Sequence, residues 1–154
     1  MASTEQYLGM AVSLARRNVE ERRARPFAAV LVKDGEVLAT GVNDILATHD
    51  PSMHAELQAI RAAAAALKNP RLDGCTIYAS GQPCPMCLAA MHMVGIKEAY
   101  FAYSNEDAEA YGLSTARVYA EMAKPLAQQS IKVEYVPVRE GESPYDAWRR
   151  ATAE

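Results

Sequence analysis

Two short segments constrain this chain more than anything else in it. His54-Ala55-Glu56 stands at the start of one expected helix, and Pro83-Cys84-Pro85-Met86-Cys87 at the start of another. One histidine and a Cys-x-x-Cys give three soft or borderline ligands, the set that zinc prefers. Cys84 and Cys87, three apart at a helical start, can face one metal. The free N–H groups and positive dipole end at such a start also favour thiolates. His54 and Glu56 are two residues apart and share no helix face. They converge only if the metal lies off the helix N-terminus, towards which Cα–Cβ bonds lean. A fold that uses both segments must therefore bring two helix N-termini to one point. Three protein ligands leave the fourth tetrahedral position for water, an arrangement of catalytic rather than closed structural zinc. Glu56 would then carry protons beside it.

The rest of the chain alternates helical and strand signals. Ser3-Thr4-Glu5-Gln6 reads as a capping box, followed by Tyr7, Met10, Ala11, Leu14 and Ala15 at helical spacing, with Pro26 ending the helix. Phe27–Val32 and Val37–Val42 flank Lys33-Asp34-Gly35-Glu36 as an antiparallel hairpin. An alanine-rich helix is expected over about 53–67, a strand over 75–79, a helix over 85–94 and a strand over 98–103. A helix over 116–124, a strand over 131–138 and a terminal helix over 145–151 complete the pattern. The fold class is α/β, a layered sandwich that begins with one antiparallel hairpin.

The chain has 154 residues, room for one compact domain. A domain of that size buries ~70% of the surface its unfolded chain exposes and needs no disulfide scaffold. No apolar run approaches the ~18 residues of a membrane span, so no membrane partner is expected. A net charge of −3 argues against a dedicated nucleic-acid binder. Three cysteines, an odd number with two close together, fit a reducing, cytoplasmic setting and metal chemistry better than disulfides.

Each candidate has a plainer reading. Cys-x-x-Cys alone could be a redox pair, but that leaves His54-Ala55-Glu56 unexplained. A fourth, structural ligand would have to be Cys75, His49 or His92. Cys75 opens a strand and reads as a small buried hydrophobe, and His49 as a solvated loop residue. His92 lies in the helix that carries the cysteines, either as core or as part of a pocket.

His-x-Glu followed by Pro-Cys-x-x-Cys is the signature of zinc-dependent nucleobase and nucleoside deaminases, and the chain resembles the cytidine deaminase-like superfamily. Within it, the chain is most similar to small bacterial guanine deaminases. The similarity runs through Pro26-Phe27-Ala28-Ala29-Val30, Gly41-Val42-Asn43, Asp50-Pro51-Ser52-Met53-His54-Ala55-Glu56, Pro83–Cys87 and Ser143-Pro144-Tyr145-Asp146-Ala147-Trp148-Arg149. The resemblance implies a three-layer α/β/α sandwich around a mixed sheet of about five strands. It implies that His54, Cys84 and Cys87 bind zinc and that Glu56 moves protons from the metal's water to the ring nitrogen and departing amine. Asn43 matches a base-recognising asparagine and Phe27 an aromatic on the heterocycle. The Ala55 and Cys84 backbone N–H groups match further substrate contacts. By resemblance the partner is a small nucleobase-like molecule, and the chain is a homodimer. The C-terminal segment, about 143–154, is then exchanged between subunits, with Tyr145 and Trp148 as its apolar anchor.

The departures concern the substrate. Gln82 stands where family members carry an acid before Pro-Cys, and Gly112-Leu113-Ser114-Thr115 lacks the acid that reads guanine's N–H groups. His92 and Met93 replace aromatics, so His92 and Thr115 join Phe27, Asn43, Ala55 and Cys84 as expected substrate contacts. The expected activity is hydrolytic deamination of a small amino-substituted heterocycle, guanine or a related aminopurine first. An aminopyrimidine of the cytosine or isocytosine type comes second and tRNA adenosine third. The non-enzymatic alternative is a zinc-stabilised interaction module, against which Glu56 argues, because a structural zinc has no use for a non-ligating carboxylate.

Overall fold

The structure is a computed structural model that describes residues 2–153. It divides into two compact units, Met1–Ala120 and Glu121–Glu154.

The first unit is built on a four-stranded sheet of order β2-β1-β3-β4. Strands β1 (Ala28–Lys33) and β2 (Glu36–Val42) form the expected hairpin around Asp34 and Gly35, both at positive φ. β1 also pairs antiparallel with β3 (Cys75–Gly81), and β3 pairs parallel with β4 (Glu98–Tyr103). The β3–β4 crossover carries α4 (Pro85–Val94), a βαβ unit within an otherwise antiparallel sheet.

Period-two alternation in β1 decides the layers. Val30 and Val32 pack against Tyr7 and Ala11 of α1 (Thr4–Arg22) on one face. Ala29 and Leu31 pack on the other with α3 (Ala55–Leu67), through Ala59 and Ala63, and with α4, through Cys87 and Met91. The three-layer α/β/α sandwich with a mixed sheet is thus present.

α1 opens on the expected capping box, Ser3 Oγ accepting from Gln6 N–H and Gln6 Oε1 from Ser3 N–H. It stops at Arg22, before Pro26, because Arg23 adopts the left-handed conformation and closes the helix with its N–H. Two short helices lie between the expected elements, α2 (Ile45–Thr48) and α5 (Asn105–Glu109). α6 (Ala116–Met122) ends two residues earlier than expected.

The sheet has four strands, not about five, because residues 131–138 form no ladder with any described strand. Alternation alone does not make a strand; its N–H and C=O groups need a partner, and Pro137 has no N–H to offer. In the second unit a 3-10 turn (Leu126–Gln128) precedes this stretch, and α7 (Pro144–Thr152) follows, capped by Ser143 Oγ. No helix among the described residues is long and apolar enough to cross a membrane.

Candidate active site

The metal-type ligands lie where two helices begin. His54 is the N-cap of α3 and Cys84 the N-cap of α4. As N-caps they have extended backbone, which turns their side chains towards the groups beyond the helix end. His54 makes no side-chain cap, so its ring is free to ligate. Cys84 Sγ accepts from the Cys87 N–H at 3.4 Å, which folds the Cys-x-x-Cys into one helical turn.

Why the two N-termini meet is visible at Gly41 of β2. A Cβ there would lie 2.2 Å from the Ala55 carbonyl oxygen and 2.6 Å from the Ala59 nitrogen. Only a bare Cα lets α3 lie against the strand this closely. The Cys84 loop, at the C-terminal end of β3, is held by Tyr119 of α6, whose hydroxyl donates to the Pro83 carbonyl.

His54 Nδ1 lies 3.3 Å from Cys84 Sγ and 3.5 Å from Cys87 Sγ, and the two sulfurs are 3.5 Å apart. Tetrahedral zinc, with Zn–S of about 2.3 Å and Zn–N of about 2.0 Å, requires ligand edges of about 3.5–3.8 Å. The cluster needs to open by only a few tenths of an ångström, and two thiolates with one imidazole suit zinc's softness. The donor set fits zinc, and among the described residues these three form the one such group of His, Cys, Asp or Glu. The pair of thiols titrates unequally. The hydrogen bond from Cys87 holds Cys84 down to about 4, helped by the His54 ring, while the same contact and burial push Cys87 up. Cys84 in turn raises the His54 pKa.

Glu56, in the first turn of α3, is 7% exposed. Burial pushes its carboxyl up to about 7, with the charge on Cys84 adding to the rise and the Cys87 hydrogen bond opposing it. A carboxylate that can hold or release a proton near neutrality suits general acid–base work.

These groups open on a cavity of about 600 Å³. Phe27, Asn43, Ala55, Glu56, Cys84 and Thr115 all line it, so the fold brings these expected contacts together. Phe27 is fixed against the bare Cα of Gly81, where a Cβ would sit 3.0 Å from its ring. Asn43 is 3% exposed; its Oδ1 accepts from the Ile45 N–H at 3.2 Å, which leaves its NH₂ as the available donor. His92 is not among the lining residues of this cavity. Five residues beyond Cys87, it is turned about 140° away around α4, where it is exposed beside a separate small cavity with Leu88 and Ile96. Cys75 is core and His49 an exposed loop residue, and neither approaches the metal-type ligands closely enough to join them.

Two contributors escape a reading of the motifs. Buried Asn18 of α1 donates through Nδ2 to the carbonyls of Arg25 and Asn43, each at 2.9 Å, tying both ends of the β1–β2 hairpin. The sequence signal was present: Asn18 follows Tyr7, Ala11 and Ala15 on the buried face of α1. Tyr119 had no such signal, since its partner is a backbone carbonyl 36 residues away.

Residues 1–103 match the family described as the cytidine and deoxycytidylate deaminase zinc-binding region. The chain is 39% identical over 145 residues to guanine deaminase of Bacillus subtilis (strain 168), spanning 94% of this chain and 93% of that one. The X-ray structure of a guanine deaminase from Bacillus subtilis superposes with a TM-score of 0.88 at 38% identity, covering 97% of this chain and 95% of the other. A tRNA-specific adenosine deaminase of Aquifex aeolicus (strain VF5) is 32% identical over 136 residues, 88% of this chain and 87% of its own. The matched stretch contains both segments that build the site, and the chain belongs to the cytidine and deoxycytidylate deaminase zinc-binding family.

Proposed function

We propose that this deaminase acts hydrolytically on guanine or a closely related aminopurine. The observation that carries the reading is the position of Glu56: a buried carboxylate, not itself a metal ligand, in the first turn beside His54 and on the same cavity as Cys84. The substrate class is supported by the 39% identity over 94% of the chain to the Bacillus subtilis guanine deaminase. An aminopyrimidine is the second reading, favoured by Ser114 and Thr115, whose side chains bring hydroxyls to the cavity.

His54, Cys84 and Cys87 would hold zinc, which would supply Lewis acidity and lower the pKa of water. Glu56 takes one proton from the attacking water and delivers it to the ring nitrogen beside the amino-bearing carbon, then takes the second from the hydroxyl left on that carbon and delivers it to the departing amine. Asn43 orients the ring by donating from Nδ2 to one of its acceptor atoms, and Phe27 packs against the ring face. The first-turn N–H groups of α3, starting at Ala55, offer further donors. The net reaction takes one water and releases one ammonia. Ammonia release from guanine, aminopurines, cytosine and isocytosine by the zinc-loaded protein tests the reading, and activity on none of them overturns it.

A homodimer in which residues 143–154 are exchanged between subunits completes the proposal. In α7, Tyr145 and Trp148 are 84% and 69% exposed, two large apolar side chains that a second copy would cover. Sedimentation giving a monomer at micromolar concentration contradicts it. Three free cysteines, two of them 3.5 Å apart and unbridged, support a reducing, cytoplasmic setting.

A further inference from the structure

Asn43 lines the cavity from a segment whose backbone polar groups are all engaged. Its N–H donates to the Phe27 carbonyl at 3.0 Å, and its C=O accepts from Asn18 Nδ2 at 2.9 Å. The next N–H, that of Asp44, donates to the Met53 carbonyl at 3.0 Å, one residue before His54. The Asn43–Asp44 peptide is thus held from both sides, by α1 through its C=O and by the loop before His54 through its N–H.

Asn18 is itself gripped at its other end. Arg22, one turn further along α1, donates from Nη1 to Asn18 Oδ1 at 3.0 Å and from Nη2 to Asp44 Oδ1. A guanidinium only donates and a carbonyl only accepts, so both ends of the Asn18 amide are specified. The bonds close a ring: Arg22 to Asn18, Asn18 to the Asn43 carbonyl, along the peptide to Asp44, and from its carboxylate back to Arg22. Asp44 is diverted to this purpose. It stands at the N-cap of α2, where an aspartate ordinarily caps the helix, yet its side chain makes no capping bond.

The ion pair is partly exposed, Arg22 at 40% and Asp44 at 21%. Pairs this exposed add little to stability. What the pair fixes is buried, since Asn18 and Asn43 are each 3% exposed. Neither Arg22 nor Asp44 is among the lining residues of the cavity, so both act on it only through Asn18 and the peptide.

We propose that Arg22 and Asp44 are positioning residues for substrate recognition: their ion pair orients Asn18, and Asn18 fixes the peptide that carries Asn43 at the cavity wall. The inference rests on the deaminase reading above, in which Asn43 Nδ2 meets an acceptor atom of the ring, and names what keeps that donor in place.

Three single variants and one double variant test this. Arg22→Met removes both donated bonds and keeps the apolar stem. Asp44→Ala removes the carboxylate without costing a helix cap, and Asp44→Asn keeps an oxygen for Arg22. With guanine and the zinc-loaded protein, Arg22→Met and Asp44→Ala are expected to raise KM roughly fivefold, the effect of losing one such hydrogen bond. Turnover should stay within about twofold, the signature of lost binding rather than lost chemistry. The calorimetric Kd for xanthine should rise by the same factor, while the melting temperature barely moves. Asp44→Asn should stay near wild type. The double variant Arg22→Met/Asp44→Ala should be no worse than the worse single variant, because both break one ring. Should Arg22→Met fold poorly, the comparison of Asp44→Ala with Asp44→Asn, which alters no residue of α1, decides the question. KM and Kd unchanged in Asp44→Ala, or losses that multiply in the double variant, overturn the positioning role and leave the deaminase reading standing if guanine is converted. A zinc-loaded wild type silent on guanine and the aminopurines overturns both.

Discussion

Gly41 of β2 lies directly beneath the first turn of α3, so close that a Cβ would sit 2.2 Å from the Ala55 carbonyl oxygen. That contact sets where His54 and Glu56 stand relative to the sheet, and through it the distance to the Cys84 loop. The nearest atoms are the Ala55 oxygen, the Ala59 nitrogen and Gln58 Cβ, none of which can rotate away.

Gly41→Ala should therefore push the start of α3 off β2. Overpacking of this kind costs about 3 kcal/mol, and the displacement falls on the metal ligand itself. Chemical denaturation should show the loss, and zinc content after dialysis should drop below one equivalent.

Tyr119→Phe removes the hydroxyl that holds the Pro83 carbonyl next to Cys84. Loss of one such hydrogen bond costs about 1 kcal/mol. Supporting contacts of a metal ligand typically contribute roughly 10–100-fold in affinity. We expect a loss at the low end of that range, read by chelator competition, with the fold intact by circular dichroism.

Asn18→Leu is expected to separate anchoring from chemistry. It leaves the carbonyls of Arg25 and Asn43 unpaired beneath the cavity, at a cost of about 2 kcal/mol. Asn43 then loses its fixed position, so KM should rise more than kcat falls. An unchanged KM would remove Asn18 from the account of the site.

Much of this architecture is legible in the residues, and the exceptions have physical causes. The bounds of α4 and β4 match expectation residue for residue, because Pro85 and Gly95 punctuate the helix and a β-rich run follows. The meeting of His54, Cys84 and Cys87 was readable because their spacing makes chemical sense only around one ion. His92 was not: its distance along α4 sets its direction, and an angle of about 140° from Cys87 takes it out of the site. Nor was the fate of residues 131–138, since strand formation depends on a partner that alternation does not specify. Tyr119 acts through a single long-range contact to a backbone carbonyl, which leaves no pattern in the chain.

Removing the metal ligand chemistry should affect folding as well as turnover, because the two thiols and the imidazole close the core between α3 and α4. Cys87→Ser is expected to abolish stoichiometric zinc binding and lower thermal stability, and chelation of the wild-type protein should reproduce the stability loss. Equal melting temperatures with and without chelator would mean that the cluster holds no metal that matters to the fold.

The most direct measurement is ammonia release from guanine by the zinc-loaded protein beside its Glu56→Gln variant, with zinc content and circular dichroism recorded on both. One zinc per chain and the same fold are expected in each, with turnover only in the wild type, because the variant keeps every ligand and loses only the group that carries the proton. A Glu56→Gln protein that loses zinc or fails to fold would contradict the role assigned to Glu56, and one that turns over guanine as fast as the wild type would do so equally.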